Sequence, residues 1–222
     1  MDIRNSLCAL GGIDRGVYNI QRYWRKRVSS MRNTLRRRLW HVSGGLSIAV
    51  AAWFLPETTM LISLGLVTFF FLGFEFTRLR VPHINRWFVS RFGPILREEE
   101  VSRVTPSSYV LISALVAYLA FGREIAVLSV CFLAVGDVAA GIVGRYLGRT
   151  KLFGKALEGD LACFVACLAA GFVLYHAGLE VGLVAVLVGS LAATIGQAIR
   201  SPVDDNLTLP LFAGVAMAAM RG

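Results

Sequence analysis

An all-α, polytopic membrane protein with about seven transmembrane helices, a cytoplasmic N-terminus and an external C-terminus is the fold class this sequence predicts. Three observations predict it. The chain is 56% hydrophobic and only 17% charged, and its mean hydropathy is +0.63, too apolar for an ordinary soluble domain. Apolar runs recur along it, each near the ~17–25 residues a spanning helix needs. Lys and Arg collect in alternate connecting segments, as the positive-inside rule requires of a multi-pass chain.

The elements follow in order. Residues 1–38 hold ten Lys/Arg and no apolar core, so they predict a basic cytoplasmic segment and no cleavable signal peptide. Within them Tyr18–Trp40 mixes Arg with Tyr18, Tyr23, Trp24 and Trp40, the composition of an interfacial amphipathic segment. Residues 39–222 are expected to form a single transmembrane catalytic domain. Its apolar runs lie at roughly 39–55, 57–76, 107–122, 124–143, 160–178, 180–199 and 206–220. The last is interrupted by Pro210 and Gly214. Between the second and third, Ile84–Leu96 carries Trp87, Phe88, Phe92 and Pro94 and reads as a second surface-lying piece.

Charge sets the expected orientation. Segment 77–106 holds six Lys/Arg, segment 144–159 four and Arg200 one more, whereas the opposite side has only Arg123 and Arg221. The net charge of +9 is thereby explained as topology plus attraction to anionic lipid headgroups. Nothing else in the chain points to a nucleic-acid partner. Four cysteines, Cys8, Cys131, Cys163 and Cys167, lack metal-ligand spacing with His. Cys163 and Cys167 lie one helical turn apart in an apolar run, which reads as packing.

The polar residues that need explaining are expected on the cytoplasmic face. Asp137 lies inside a spanning run, where an Asp costs roughly 2.5–3.5 kcal/mol on insertion scales, so it is a site candidate. Gly141, Gly144 and Gly148 follow it on one helix face. They would admit either a phosphate or, as a small-residue seam, a neighbouring helix. Arg145 and Arg149 flank that stripe and suit phosphate clamping. Gly148 to Gly154-Lys155 has the wrong spacing for a P-loop, and Ala156 stands where Ser or Thr would follow. Asp204-Asp205-Asn206 offers hard oxygen ligands for Mg²⁺, or a helix cap before Leu207. Arg36–Arg38 and His41 open the first run, and Glu75 and Arg78 close the second. His83 and His176 have no partner legible in the sequence.

An ordered set of these motifs resembles the membrane polyprenol kinase family, which includes dolichol kinase, phytol kinase and the CTP-dependent diacylglycerol kinase of yeast. The resemblance covers about residues 36–212. It rests on Arg37-Arg38-Leu39-Trp40-His41, Glu75-Phe76-Thr77-Arg78, Arg97 with Glu98–Glu100, and Gly136-Asp137 with Ala140, Gly144 and Gly148. It continues through Gly154-Lys155-Ala156-Leu157-Glu158-Gly159 and Asp205-Asn206-Leu207 with Pro210. Three positions depart from the pattern: Ala156 replaces a Ser, Asp160 stands where a small residue is common, and Gln197 stands where Glu is frequent.

The resemblance implies transfer of the terminal phosphoryl group of a nucleoside triphosphate, with CTP first in line, to a lipid alcohol drawn from the bilayer. Asp137 and Asp205 would then hold Mg²⁺, or one of them would take the alcohol proton. Arg38, His41, Arg145, Arg149, Lys155 and Asn206 would contact nucleotide or phosphate, with Gly144 and Gly148 allowing close approach. Glu158 would orient Lys155 or the metal. The site would face the cytoplasm from the cell membrane of a prokaryote, or from an ER-type or organelle membrane of a eukaryote. Two rival readings share the same residues: a phosphatidate cytidylyltransferase-like enzyme making a CDP-lipid, and a non-enzymatic transporter or scaffold with an intramembrane Asp.

Overall fold

The computed structural model describes residues 36–152, 154–199 and 203–220, with Glu98 as backbone only. The interfacial reading of Tyr18–Trp40 falls mostly outside the described residues, as do Cys8, Arg200, Ser201, Pro202 and Arg221. The described chain is all-α apart from one short hairpin. A first helix, α1, is described from 36 to 54. It is followed by α2 (Glu57–Arg80), α3 (Pro82–Phe92), α4 (Pro106–Phe121), α5 (Arg123–Tyr146), α6 (Leu157–His176), α7 (Leu183–Ala198) and α8 (Asp205–Ala218). The hairpin pairs β1 (Lys151–Leu152) with β2 (Lys155–Ala156).

The seven apolar runs coincide with α1, α2 and α4 through α8. Among the described residues, α2, α5 and α6 are each long and apolar enough to cross a membrane, and α4 and α7 are shorter apolar helices. The surface-lying piece is α3, whose Phe88 is buried while Trp87 is exposed. Pro82 and Pro106 occupy the first turns of α3 and α4, where the missing N–H is not needed. Gly122 joins α4 to α5 at φ 82°, a backbone conformation other residues rarely adopt. Pro210 does not end α8. The helix is held through it by packing, with Pro210 fully buried and Gly214 set directly on the Phe121 ring.

The core centres on α5. Buried residues make up 67% of its apolar window, against 22% for α2 and 28% for α6. Its partners are α4, α6, α7 and α8. Contact with α6 is closest because small residues line the seam. A Cβ on Gly136 would stand 2.7 Å from the Cys167 sulfur, and one on Gly159 would stand 2.8 Å from the Ala140 carbonyl oxygen. Cys163 and Cys167 are fully buried there, in the packing role expected of them. The outward faces of α2, α6 and α7 expose Phe69, Phe70, Val165, Phe172, Leu187 and Leu191. Apolar surface on that scale is consistent with a membrane protein.

One end of the bundle gathers the start of α1, α4, α6 and α8 with the end of α2, α5 and α7. Cross-links tie them: Thr105 to Glu75, Arg38 to Gly141, and Lys155 to Gln197 and Asp205. At the opposite end the Arg123 guanidinium donates to the Leu55 carbonyl at 2.7 Å, and the starts of α5 and α7 meet the end of α8. Successive long helices therefore run in opposite directions.

Candidate active site

The tied end of the bundle encloses a cavity of about 570 Å³. Its polar wall is formed by Arg37, Arg38 and His41 of α1, Asp137 and Gly141 of α5, and Asp204, Asp205 and Asn206 at the start of α8. Its apolar wall carries Trp40, Phe71, Phe88, Phe92, Ile95 and Tyr109. Arg97, Glu99, Glu100 and Arg103, from the segment before α4, close the mouth. A cavity of this size with convergent polar groups against an apolar wall has the form of a small-molecule site, here with an unusually charged lining.

Each polar group is positioned by an identifiable device. Asp204 is the N-cap of α8, its carboxylate accepting from the Asn206 backbone N–H at 3.0 Å. That leaves Asp205, the first residue of the helix, to turn its side chain into the site. The Lys155 ammonium donates to Asp205 Oδ2 at 2.7 Å and to the Gln197 backbone carbonyl. His41 Nε2 meets Asn206 Oδ1, which joins α1 to α8. The Gln197 amide donates to Asp137 Oδ1 at 3.4 Å. Arg38 donates to the Gly141 carbonyl, and Gly141 makes room for it: a Cβ there would lie 3.1 Å from the guanidinium.

Glu75 and Arg78 stand apart from the cavity wall and hold it up. Arg78 is fully buried and Glu75 is 2% exposed. The guanidinium donates to both Glu75 oxygens at 2.9 Å, to Asn85 Oδ1 at 3.1 Å and to the Arg103 carbonyl at 2.7 Å. Glu75 in return accepts from the Thr105 N–H and hydroxyl, both at 3.1 Å. The Phe88 ring lies under the guanidinium, 4.6 Å from ring centre to Cζ. This fork-shaped pair fixes the segment that closes the cavity mouth.

The remaining candidate residues are placed differently. Gly144 faces the Ala156 Cβ and the Gly159 backbone, and Gly148 faces the Ala156 Cβ, so β2 and the start of α6 lie close against both. Gly141, the first glycine of the stripe, faces the Arg38 guanidinium instead. Arg145 and Arg149 are exposed and lie outside the cavity lining. Glu158 engages its own loop through one carboxylate oxygen, Oε1, while Oε2 is buried without a hydrogen-bond partner. At the start of α6 it accepts from the backbone N–H groups of Arg149 and Thr150, at 3.1 and 3.0 Å, closing the loop before the hairpin. Lys155 is oriented instead by Asp205 and Gln197. Arg37 belongs to the basic motif that opens the first run, whereas Arg103 is not legible as a cavity residue from the sequence, where it is indistinguishable from ordinary topology charge.

The oxygen donors suit a hard divalent cation. Among the described residues, no three His, Cys, Asp or Glu side chains form a closed metal cage. Asp137 and Asp205 beside the Asn206 amide nevertheless fit Mg²⁺, which takes one or two carboxylates and completes its shell with water and substrate phosphates.

No family model and no solved structure matches the chain. Curated proteins do. The chain is 32% identical over 149 residues to a chloroplastic protein of Glycine max named probable phytol kinase 2, covering 59% of this chain and 51% of the relative. It is 27% identical over 164 residues to CTP-dependent diacylglycerol kinase 1 of Eremothecium gossypii, covering 63% and 52%. It is also 21% identical over 182 residues to an uncharacterized protein of Rickettsia prowazekii, covering 79% and 89%. The chain thus spans about half the length of these two named kinases and most of the bacterial relative. The relatives bear out the resemblance drawn from the motifs.

Proposed function

From its likeness to lipid kinases of the polyprenol kinase family, we propose that this protein is a membrane lipid-alcohol kinase. It transfers the terminal phosphoryl group of a nucleoside triphosphate, CTP in the first instance, to the hydroxyl of an isoprenoid alcohol or diacylglycerol. The observation that carries this reading is the cavity itself. Residues from four separated parts of the chain bring carboxylates, guanidiniums, an imidazole and an amide to one end of an apolar bundle, opposite an aromatic wall.

The division of walls suits two substrates of opposite polarity. The polar wall receives the triphosphate, and the aromatic wall receives an alcohol whose tail remains in the lipid. Phosphoryl transfer demands in-line positioning and charge neutralisation more than covalent help. Arg37, Arg38, Arg97 and Arg103 are the cations at the cavity, and Lys155 stands beside it on Asp205. They neutralise phosphate charge. Asp137 and Asp205 would hold a divalent ion, which when bound would screen the phosphates and polarise the transferring group. One of the two carboxylates takes the proton of the attacking hydroxyl. His41 fixes Asn206 against the nucleotide. The Glu75–Arg78 pair acts on the reaction only through the segment it anchors.

In this reading seven helices cross the membrane, and the cavity faces the cytoplasm because nearly all Lys and Arg lie at that end. The test is turnover by purified protein supplied with labelled CTP, ATP, UTP or GTP and a panel of phytol, geranylgeraniol, longer polyprenols and diacylglycerol. The expected products are a phosphorylated lipid and a nucleoside diphosphate. Diphosphate as the by-product would assign the CDP-lipid reaction instead. Absence of turnover across the whole panel would remove both.

A further inference from the structure

Two buried oxygens near the Lys155–Asp205 pair have no hydrogen-bond partner: Oδ2 of Asp160 and Oε1 of Gln197. Each residue is only 6% exposed. Both stand at positions where the chain departs from the polyprenol kinase pattern, and the proposed reaction uses neither. An unpartnered acceptor in a dry place is costly, and an ionised one more so. Asp160 therefore needs an account.

The account comes from Lys155. Its ammonium carries three donors. Two are committed, one to the fixed Gln197 carbonyl and one to Asp205. Asp160 sits in the first turn of α6, five residues after Lys155, which β2 delivers. Its carboxylate is buried at the same end of the bundle as the Lys155–Asp205 pair. Asp205 has two incompatible engagements in the proposed site: it pairs with Lys155 as the protein stands, and it must turn to a divalent cation when nucleotide arrives. A lysine abandoned by its carboxylate at the edge of an apolar bundle would lose its orientation.

We infer that Asp160 is the second counter-ion of Lys155, a positioning residue that takes up the ammonium when Asp205 turns to bound cation and nucleotide. Lys155 then keeps the Gln197 carbonyl as pivot, exchanges one carboxylate for the other, and presents its third donor to phosphate. The inference rests on the phosphoryl-transfer reading only in its kinetic consequences. The hand-over of the Lys155 ammonium to Asp160 needs only the release of Asp205, not a kinase reaction.

Two measurements test it. The first is a double-mutant cycle on the thermal midpoint of the detergent-solubilised, ligand-free full chain, using Asp160→Asn and Lys155→Met. The cycle is run in the native background and again with Asp205→Asn. Coupling between 160 and 155 is expected to at least double when Asp205 no longer holds the ammonium. Equal or absent coupling in both backgrounds would overturn the inference, whether or not the protein proves to be a kinase. If Asp160→Asn does not fold, the same cycle is run with Asp160→Ser. The second measurement is kinetic. Asp160→Asn is expected to raise the KM for nucleotide about threefold to tenfold and leave the KM for the lipid alcohol unchanged, with Asp160→Glu recovering part of the loss. Parallel changes in both KM values, or none, would show that Asp160 does not act through Lys155.

Discussion

Replacing Glu75 with Gln is expected to harm the protein more than removing Glu75 and Arg78 together. The carboxylate is 2% exposed and its guanidinium partner fully buried. Gln preserves the shape but turns an amide N–H₂ toward one of two guanidinium nitrogens that now donate at 2.9 Å. It also leaves the Arg78 charge without a counter-ion in a dry site. Breaking one partner of such a pair costs about 3–5 kcal/mol. For a chain of this size each kcal/mol moves the thermal midpoint by about 2–4 °C, so a fall of roughly 6–20 °C is expected. The double substitution Glu75→Met, Arg78→Met removes both charges and should restore most of that loss. It should not restore turnover. The ties from Arg78 to Asn85 and the Arg103 carbonyl, and from Glu75 to Thr105, are gone, and the segment closing the cavity is released. Tryptophan fluorescence during thermal unfolding in detergent gives the stabilities, and the lipid kinase assay gives turnover. A Glu75→Gln midpoint within about 2 °C of the native protein, or a double variant less stable than the single, would refute the reasoning.

Asp137→Asn should abolish turnover with nearly native detergent stability, since it keeps size and hydrogen-bonding capacity but removes the charge a cation needs; more than about a tenth of native activity would remove Asp137 from that role. Gly159→Val should lower the thermal midpoint by several degrees, on the order of 1–3 kcal/mol of overpacking, because its Cβ would fall 2.8 Å from the Ala140 carbonyl oxygen and 3.1 Å from the Gly144 Cα; an unchanged midpoint would mean that α5 and α6 part easily. In a background freed of native cysteines, a cysteine at Lys151 should react with an impermeant thiol reagent only from the cytoplasmic side, and one at Gly178 only from outside. Labelling of both from one side would break the seven-span reading.

Helices and their ends are the most legible part of the chain, because the bilayer leaves few ways to satisfy a buried backbone. Even α8 is visible as an apolar run. Its passage through Pro210 is not, since that depends on the Phe121 ring and neighbours distant in sequence. Asp137 and Asp205 stand out because charge in or beside an apolar run demands a reason. Glu158 does not yield its role: a carboxylate at a helix start can face a metal, a lysine or its own loop, and only the fold decides. The glycines after Asp137 have the same ambiguity. Gly141 receives a guanidinium and Gly144 a helix, though the two are three residues apart on nearly one face. Arg103 is hidden among cations whose number is already explained by orientation.

The central position of α5 has a consequence for how this sequence tolerates drift. An outward position on α2, α6 or α7 asks only for solubility in hydrocarbon, so Leu, Ile, Val and Phe are interchangeable there. A position on α5 is constrained from nearly every direction by side chains of fixed volume. Substitutions accumulate where they are free and stall where they are not. Most of the information that specifies the bundle is then held by a minority of residues, concentrated in one helix and the small residues that meet it. Two chains can share this architecture while agreeing at few of their apolar positions, and overall identity becomes a poor ruler of how alike they are.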